Sequence, residues 1–392
     1  MRLTFVVSNL ACGGVQRVTA WLSGALARRG HQVTVITFAS DASDFFHLPQ
    51  DVSRVALGIT ASRPTPLWRL PAVTASRLAR IRRAVQSSAP DVVISRAAPV
   101  NVPTLLALRG PDYPVIVTEH GDTPAQRDAS APWPWRKRLW YRMRRLCYPA
   151  AFAVVSASQA IDRQFSWLPV RRRAVIHNPF APIGRLSPRR DVPDRLRVVS
   201  MGRLAPDKGF DVLLRAFARI AERFREWQLL IIGDGTLRGE LQRLAHELAL
   251  EDQVLFTGAV TDPSALLQSA QLYVMASRCE GFPNALGEAM SCGLPAIATD
   301  CPGGVRELLR DGVDGCLVPP DDAATLADAL ADLMADPEKR TRLGRRAEEV
   351  VERFGCEKTL DEWEQLLQRA TASSGPGTVC YNSPPRARSS VG

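Results

Sequence analysis

The sequence predicts an α/β protein of two parallel-sheet domains that face each other across a cleft. Three observations carry this expectation: the length, the alternation of short apolar strands with amphipathic helices, and a Pro-rich break near the middle. At 392 residues the chain has room for two or three domains of roughly 150 residues each. A composition of 46% hydrophobic and 23% charged residues excludes a mostly disordered chain. Val/Ile/Leu-rich strands alternating with helices read as parallel sheets covered on both faces.

In the first half, strands are expected near 2–8, 32–38, 91–95, 114–118, 152–156 and 174–177, and helices near 14–29, 75–87 and 137–147. The first helix stops at Arg28-Arg29-Gly30, where basic residues and a glycine mark a C-terminal end. In the second half, strands near 197–201, 228–232, 253–256, 272–276, 295–298 and 315–318 alternate with helices near 209–224, 236–249, 263–269, 284–292, 303–310 and 322–335. Asn178-Pro179-Phe180-Ala181-Pro182 and the polar run after it read as a boundary. The expected domains are 1–180 and 197–355, joined by a linker over 181–196. A helix over 356–370 crosses back towards the first domain, and residues 371–392, rich in Ser, Gly and Pro, form a disordered tail. In such a pair of domains a ligand binds at the C-terminal ends of the strands.

No run of 18 apolar residues occurs, and Leu3-Thr4-Phe5-Val6-Val7 enters a strand directly without a signal-peptide pattern. A cytoplasmic protein is expected. The eight cysteines form no C-x-x-C pair and have no His at metal-ligand spacing, so neither a zinc site nor a disulfide framework is indicated. Charge is uneven: residues 1–180 carry 24 Lys+Arg against 9 Asp+Glu, and the remainder 26 against 31.

Gly13-Gly14 follows the first strand and opens a helix with Gln16 and Arg17 in its first turn. Such a helix start suits a pyrophosphate, although a plain tight turn has the same pattern. Neither this segment nor Gly233-Asp234-Gly235 is a G-x-G-x-x-G fingerprint, which disfavours an NAD enzyme. Arg203 and Lys208 bracket the end of the second domain's first strand, where two cations can neutralise a departing diphosphate or be ordinary surface charges. The sharpest feature is Cys279-Glu280-Gly281-Phe282-Pro283-Asn284-Ala285-Leu286-Gly287-Glu288-Ala289-Met290. Two glutamates eight apart are usually solvated, but these flank a Phe-Pro-Asn helix start, and each carboxylate can accept adjacent hydroxyls of a sugar or ribose.

At this stretch the sequence resembles the E-x7-E motif of retaining glycosyltransferases of the GT-B fold, in particular glycosyltransferase family 4. The resemblance extends to Gly13-Gly14-Val15-Gln16-Arg17, to Gly202-Arg203-Leu204 with Lys208-Gly209, and to Cys292-Gly293-Leu294-Pro295-Ala296-Ile297-Ala298 followed by Gly312-Val313-Asp314-Gly315. It implies two Rossmann-like domains and a set of roles. Glu288 holds donor ribose hydroxyls and Glu280 those of the transferred sugar. Arg203 and Lys208 stabilise the leaving diphosphate, and the Gly14 amide contacts it from the other domain. Phe282, Pro283, Asn284 and Leu286 belong to the donor-binding helix start. His120 matches a histidine near the anomeric centre, though a His at a strand end is often structural. Asn178 takes an architectural place at the crossover. The implied donor is a nucleoside-diphosphate sugar, with UDP favoured. No metal or other cofactor is expected, in keeping with the lack of any Asp-x-Asp.

Between Asp51 and Asp91 lie seven Arg and no acid, with Arg77, Arg80 and Arg83 on roughly one helix face. Between Asp128 and Asp162 lie six cations and no acid, interleaved with Trp133, Trp135, Trp140, Tyr141 and Tyr148. This pattern suits docking on an anionic membrane surface, and a solvated basic face would look similar. No nucleic-acid module accompanies it, so nucleic acid is not an expected partner. With the resemblance, the implied acceptor is a polyprenyl-diphosphate-linked or other glycan at the cytoplasmic membrane face, as in polysaccharide biosynthesis. The local sequence is similar to that of enzymes extending N-acetylgalactosamine-containing lipid-linked oligosaccharides. Two rival readings remain: a nucleotide-sugar epimerase of the same fold, and a catalytically inactive nucleotide-sugar or membrane-binding protein.

Overall fold

The computed structural model describes residues 1–40, 44–59, 70–110, 113–121, 135–182 and 195–373. Trp133 and most of the expected linker and tail lie outside the described residues, as do the side chains of Trp135, Arg136 and Lys137. The first domain runs β1 (Arg2–Val7), α1 (Gly14–Arg28), β2 (Gln32–Thr37), β3 (Val52–Ala56), α2 (Leu70–Ser88) and β4 (Val92–Arg96). It continues through α3 (Ala98–Ala107), β5 (Val115–Glu119), α4 (Trp135–Cys147), β6 (Ala153–Ser156), α5 (Gln159–Asp162) and β7 (Arg173–Val175). Its seven parallel strands are ordered β3-β2-β1-β4-β5-β6-β7.

The second domain begins with β8 (Leu196–Met201), α6 (Phe210–Ala218), β9 (Trp227–Ile232), α7 (Arg238–Glu247) and β10 (Val254–Gly258). Then come α8 (Ser264–Gln268), β11 (Leu272–Met275), α9 (Asn284–Ser291), β12 (Ala296–Thr299), α10 (Val305–Leu308) and β13 (Gly315–Val318). The order β10-β9-β8-β11-β12-β13 is again parallel throughout. Both sheets are therefore doubly wound, as the sequence predicts, and each reverses its order beside its first strand.

Four further helices, α11 (Ala323–Ala335), α12 (Pro337–Ala347), α13 (Val350–Arg353) and α14 (Cys356–Ala372), close the chain. Leu360, Trp363, Leu366, Leu367 and Ala370 of α14 pack with Leu3, Phe5, Leu22 and Leu26 of the first domain. Arg29, at the end of α1, donates to Asp361 at 2.7 Å and Glu364 at 2.9 Å. The last helix is thus part of the first domain's core. A second apolar cluster runs from Val6 and Val93 through Phe180 to Phe282, Met290 and Val350, and so spans both domains.

Five elements lie outside the pattern read from the sequence: β3, α3, the short α5 and α13, and α12. The edge strand β3 has an exposed, polar-interrupted surface and pairs with β2 alone. In α3, Pro99 sits in the first turn, where a missing N–H costs little, and Pro103 lies inside the helix, so both read as breakers. The charged α12 starts on an Asp336 cap that accepts from the Lys339 amide at 2.8 Å, with Pro337 at its first position.

Candidate active site at the interdomain cleft

The two switch points define where the functional residues gather. In the first sheet, Gly13-Gly14 follow β1, Arg96 ends β4 and His120 follows β5. In the second, Arg203 and Lys208 follow β8, Glu280 follows β11, and α9 carries Glu288. Strand-end loops of one domain touch those of the other. A Cβ on Gly281 would lie 2.0 Å from the His120 carbonyl oxygen, so only glycine permits this approach. A Cβ on Gly14 would lie 2.7 Å from Asn284 Nδ2. The Asn284 Oδ1 accepts from Asn178 Nδ2 at 2.8 Å, and Ser158 Oγ donates to the Gly281 carbonyl at 3.0 Å. Glu307 adds a clasp, accepting from the amides of Gln159 at 3.0 Å and Ala160 at 3.1 Å and pairing with His177 at 2.9 Å.

Each glutamate of the motif has one cationic partner. Lys208 Nζ lies 2.8 Å from Glu280 Oε1, which also accepts from Ser277 Oγ at 2.6 Å. Burial works against the Lys208 charge, but the Glu280 carboxylate outweighs it and holds the ammonium pKa above its usual value. Glu288 Oε2 lies 2.6 Å from Arg17 Nη1, an ion pair that crosses the cleft. Burial raises the Glu288 pKa, with Arg17 opposing the rise. Arg203 is 71% exposed and, among the described residues, reaches only Asp207, at 3.7 Å. It is the cation freest to turn towards a ligand.

His120 is held well below its usual pKa, first by burial and then by the charge of Arg96. It is therefore neutral at pH 7 and can serve as a hydrogen-bonding group rather than a cation. Its Nε2 sits 2.8 Å from Thr118 Oγ1. At the start of α9, Leu286 and Gly287 donate to the Pro283 carbonyl, leaving the Asn284 and Ala285 amides as the first free donors of the helix.

Some expected site residues sit differently. Leu286 is fully buried, and the Phe282 ring packs between Phe180 at 5.9 Å and His177 at 5.2 Å. Their side chains build the floor of the site, and the Leu286 amide is taken by the Pro283 carbonyl. Trp140 is half-buried against the apolar core, whereas Leu139 and Leu146 of the same helix are exposed. Arg144 also turns inward, 3.2 Å from Glu119 and over the Tyr148 and Phe165 rings. The helix thus has a smaller basic face than its composition suggests. On α2, Arg83 is exposed, Arg77 is half-buried and Arg80 donates to the Leu57 carbonyl. No group of three or more His, Cys, Asp or Glu able to hold a metal occurs among the described residues.

Two members of the constellation were absent from the expected set. Ser277 has no motif of its own. Arg17 lies in the glycine segment, but its partner is 271 residues away, a distance no local spacing reports.

Comparison with known proteins agrees with this geometry. The family model described as Glycosyltransferase Family 4 matches residues 12–182, and that described as Glycosyl transferases group 1 matches residues 188–350. The chain is 27% identical over 368 residues to the GalNAc-alpha-(1->4)-GalNAc-alpha-(1->3)-diNAcBac-PP-undecaprenol alpha-1,4-N-acetyl-D-galactosaminyltransferase of Campylobacter jejuni, covering 94% of this chain and 98% of that protein. It is 32% identical to the lipopolysaccharide core biosynthesis glycosyltransferase LpsE of Rhizobium meliloti over 55% of this chain and 63% of that one. Among solved structures, sucrose-phosphate synthase of Thermosynechococcus elongatus superposes with a TM-score of 0.80 at 21% identity, covering 95% of this chain and 100% of that one. Anabaena HepE in complex with UDP and glucose gives 0.76 at 22% identity, over 94% and 99% of the two chains. These neighbours share the GT-B arrangement of two Rossmann-like domains. With both domains matched in order, the chain belongs to glycosyltransferase family 4, the group 1 glycosyl transferases.

Proposed function

We propose that this glycosyltransferase moves a hexose or N-acetylhexosamine from a nucleoside-diphosphate sugar to a polyprenyl-diphosphate-linked glycan, retaining anomeric configuration without a metal. The observation that carries the reading is the paired arrangement of Glu280 with Lys208 and Glu288 with Arg17 at the two facing strand-end clusters. The HepE complex with UDP supports a UDP-linked donor, and the name of the Campylobacter relative supports a lipid-linked acceptor.

In this reading the donor ribose takes the place of Arg17 on Glu288, and sugar hydroxyls meet Glu280. When the bond from the anomeric carbon to the phosphate breaks, its electron pair passes to the diphosphate. Lys208, Arg203 and the free amides at the start of α9 bear on that charge. The acceptor hydroxyl attacks from the same face, and its proton passes to the departing phosphate oxygen. Glu280 Oε1 already accepts two hydrogen bonds, which makes it a poor nucleophile and a good hydroxyl-orienting group. His120, neutral and paired through Nε2 with Thr118, lies at the same strand-end cluster.

The lipid-linked acceptor calls for a membrane-facing surface. No helix among the described residues is long and apolar enough to cross a membrane. Peripheral docking at the cytoplasmic face is served by Leu146, 71% exposed, and Val170, 76% exposed, amid Arg138, Arg142, Arg145 and Arg171. Arg145 over the Trp167 ring and Arg172 on the Ala151 carbonyl tie the Val170 segment to the end of α4. The Arg77, Arg80 and Arg83 side of α2 is the proposed seat of the acceptor diphosphate.

Three outcomes follow. With labelled UDP-hexoses and UDP-N-acetylhexosamines and a membrane lipid extract, Glu288→Ala lowers donor affinity about 10–100-fold, and Lys208→Ala lowers turnover about 10²–10³-fold. Wild-type transfer by either variant contradicts the assignment. Donor binding needs Glu288 ionised, so affinity falls as pH drops through its raised pKa. Arg17→Ala removes the opposing charge and moves this loss to higher pH in a calorimetric titration, and an unshifted acid limb counts against the pairing. Neutralising Arg138 and Arg142 to Gln weakens binding to anionic vesicles about thirtyfold, at about 1 kcal/mol per lost cation. Unchanged sedimentation with vesicles removes the docking surface.

A further inference from the structure

Arg96 occupies the last position of β4, in the middle of the first sheet, and is only 2% exposed. Arginine is almost never buried so fully without a partner. Its Nε and Nη2 are buried without a hydrogen-bond partner, and it makes no ion pair among the described residues. In the parallel register Arg96 lies beside Thr118, so both side chains leave the same face of the sheet. Glu119, the next residue along β5, faces the other way and is already engaged by Arg144 and Tyr148. Burial pulls the Arg96 pKa down to about 9, which leaves it charged at neutral pH.

A cavity lies against this side chain. Arg96, Thr118, His120 and Asn178 supply its polar wall, and Trp21 and Trp363 part of its apolar wall. It has room for about one water-sized particle. The neighbouring polar groups are mostly committed: Asn178 Nδ2 donates to Asn284, and Thr118 Oγ1 pairs with His120 Nε2. The His120 Nδ1 is buried and has no partner. In the tautomer in which Thr118 donates to Nε2, the ring proton sits on Nδ1. Two buried N–H donor atoms of a cation, joined in that tautomer by His120 Nδ1, then belong to residues that line one small cavity with no acid in its wall.

We propose that this cavity is a binding site for a single monovalent anion of halide size, held by Arg96 Nε and Nη2 and by His120 Nδ1. The small volume favours a single-atom anion over phosphate, sulfate or a carboxylate, which need space for several heavy atoms. A chloride ion is larger than a water molecule but still a single sphere, and the positive charge of Arg96 selects the ion over the water. Bound there, the anion balances the charge that Arg96 brings beneath the cleft and fixes the His120 ring in one tautomer. The site stands on this geometry alone and does not depend on the donor or acceptor assigned above.

The test compares thermal unfolding of the full chain in sodium chloride and sodium bromide with sodium isethionate at equal ionic strength, and maps bromide by anomalous scattering in soaked crystals. The halides raise the midpoint saturably, by about 2 °C once in roughly tenfold excess over their dissociation constant. Arg96→Met abolishes the difference between salts, and a bromide peak lies between Arg96 and His120 in the wild type. Should the variant fail to fold, the wild-type bromide map decides alone. Equal midpoints in all three salts, an unchanged halide response in Arg96→Met, or a bromide-soaked crystal with no anomalous peak in the cavity overturns the proposal.

Discussion

Two carboxylates taken out of water set the terms for everything in the cleft. Glu280 and Glu288 are both largely shielded from solvent, and an unpaired buried carboxylate is strongly unfavourable. Each is answered by one cation at hydrogen-bonding distance, Lys208 from the same domain and Arg17 from the other. The first pair is internal to a rigid strand-end cluster, reinforced by Ser277. The second exists only while the domains face each other. Removing one partner from either pair leaves a buried charge that needs new hydrogen bonds, such as those of a ligand's hydroxyls.

This difference between the pairs gives the cleft its division of labour. Lys208 and Glu280 hold one another in fixed geometry before any ligand arrives, so their charges are pre-organised where a diphosphate and a sugar meet. Arg17 and Glu288 form a contact that a donor must exchange for its own hydroxyls. The backbone approach of His120 to Gly281 and the Asn178–Asn284 bond keep the loops in register while that exchange takes place. Arg203, mostly in solvent, has the freedom that the other cations lack.

The architecture was legible because buried parallel strands must be near-continuous apolar runs, and ten or more such runs alternate with helices here. The exceptions have physical causes. The edge strand β3 is buried on too little of its surface to carry the pattern, and α3 contains prolines that its first turn and its packing tolerate. Arg203, Lys208, Glu280 and Glu288 could be found because each sits beside a glycine or proline break that local sequence displays. Arg17 as a partner of Glu288, Arg144 as a core residue and Arg96 as a buried cation could not. Their environments are made by strands and helices hundreds of positions away or on a sheet face that only register reveals. Trp140 shows the same limit, since composition alone cannot say which side of α4 meets the core.

The account is tested most directly by a crystal structure of the protein with UDP. It predicts ribose hydroxyls on Glu288 in place of the Arg17 guanidinium, with the β-phosphate within hydrogen-bonding distance of Lys208 Nζ and of Arg203 turned inward. UDP bound with the Arg17–Glu288 pair intact and its phosphates away from Lys208 would contradict it.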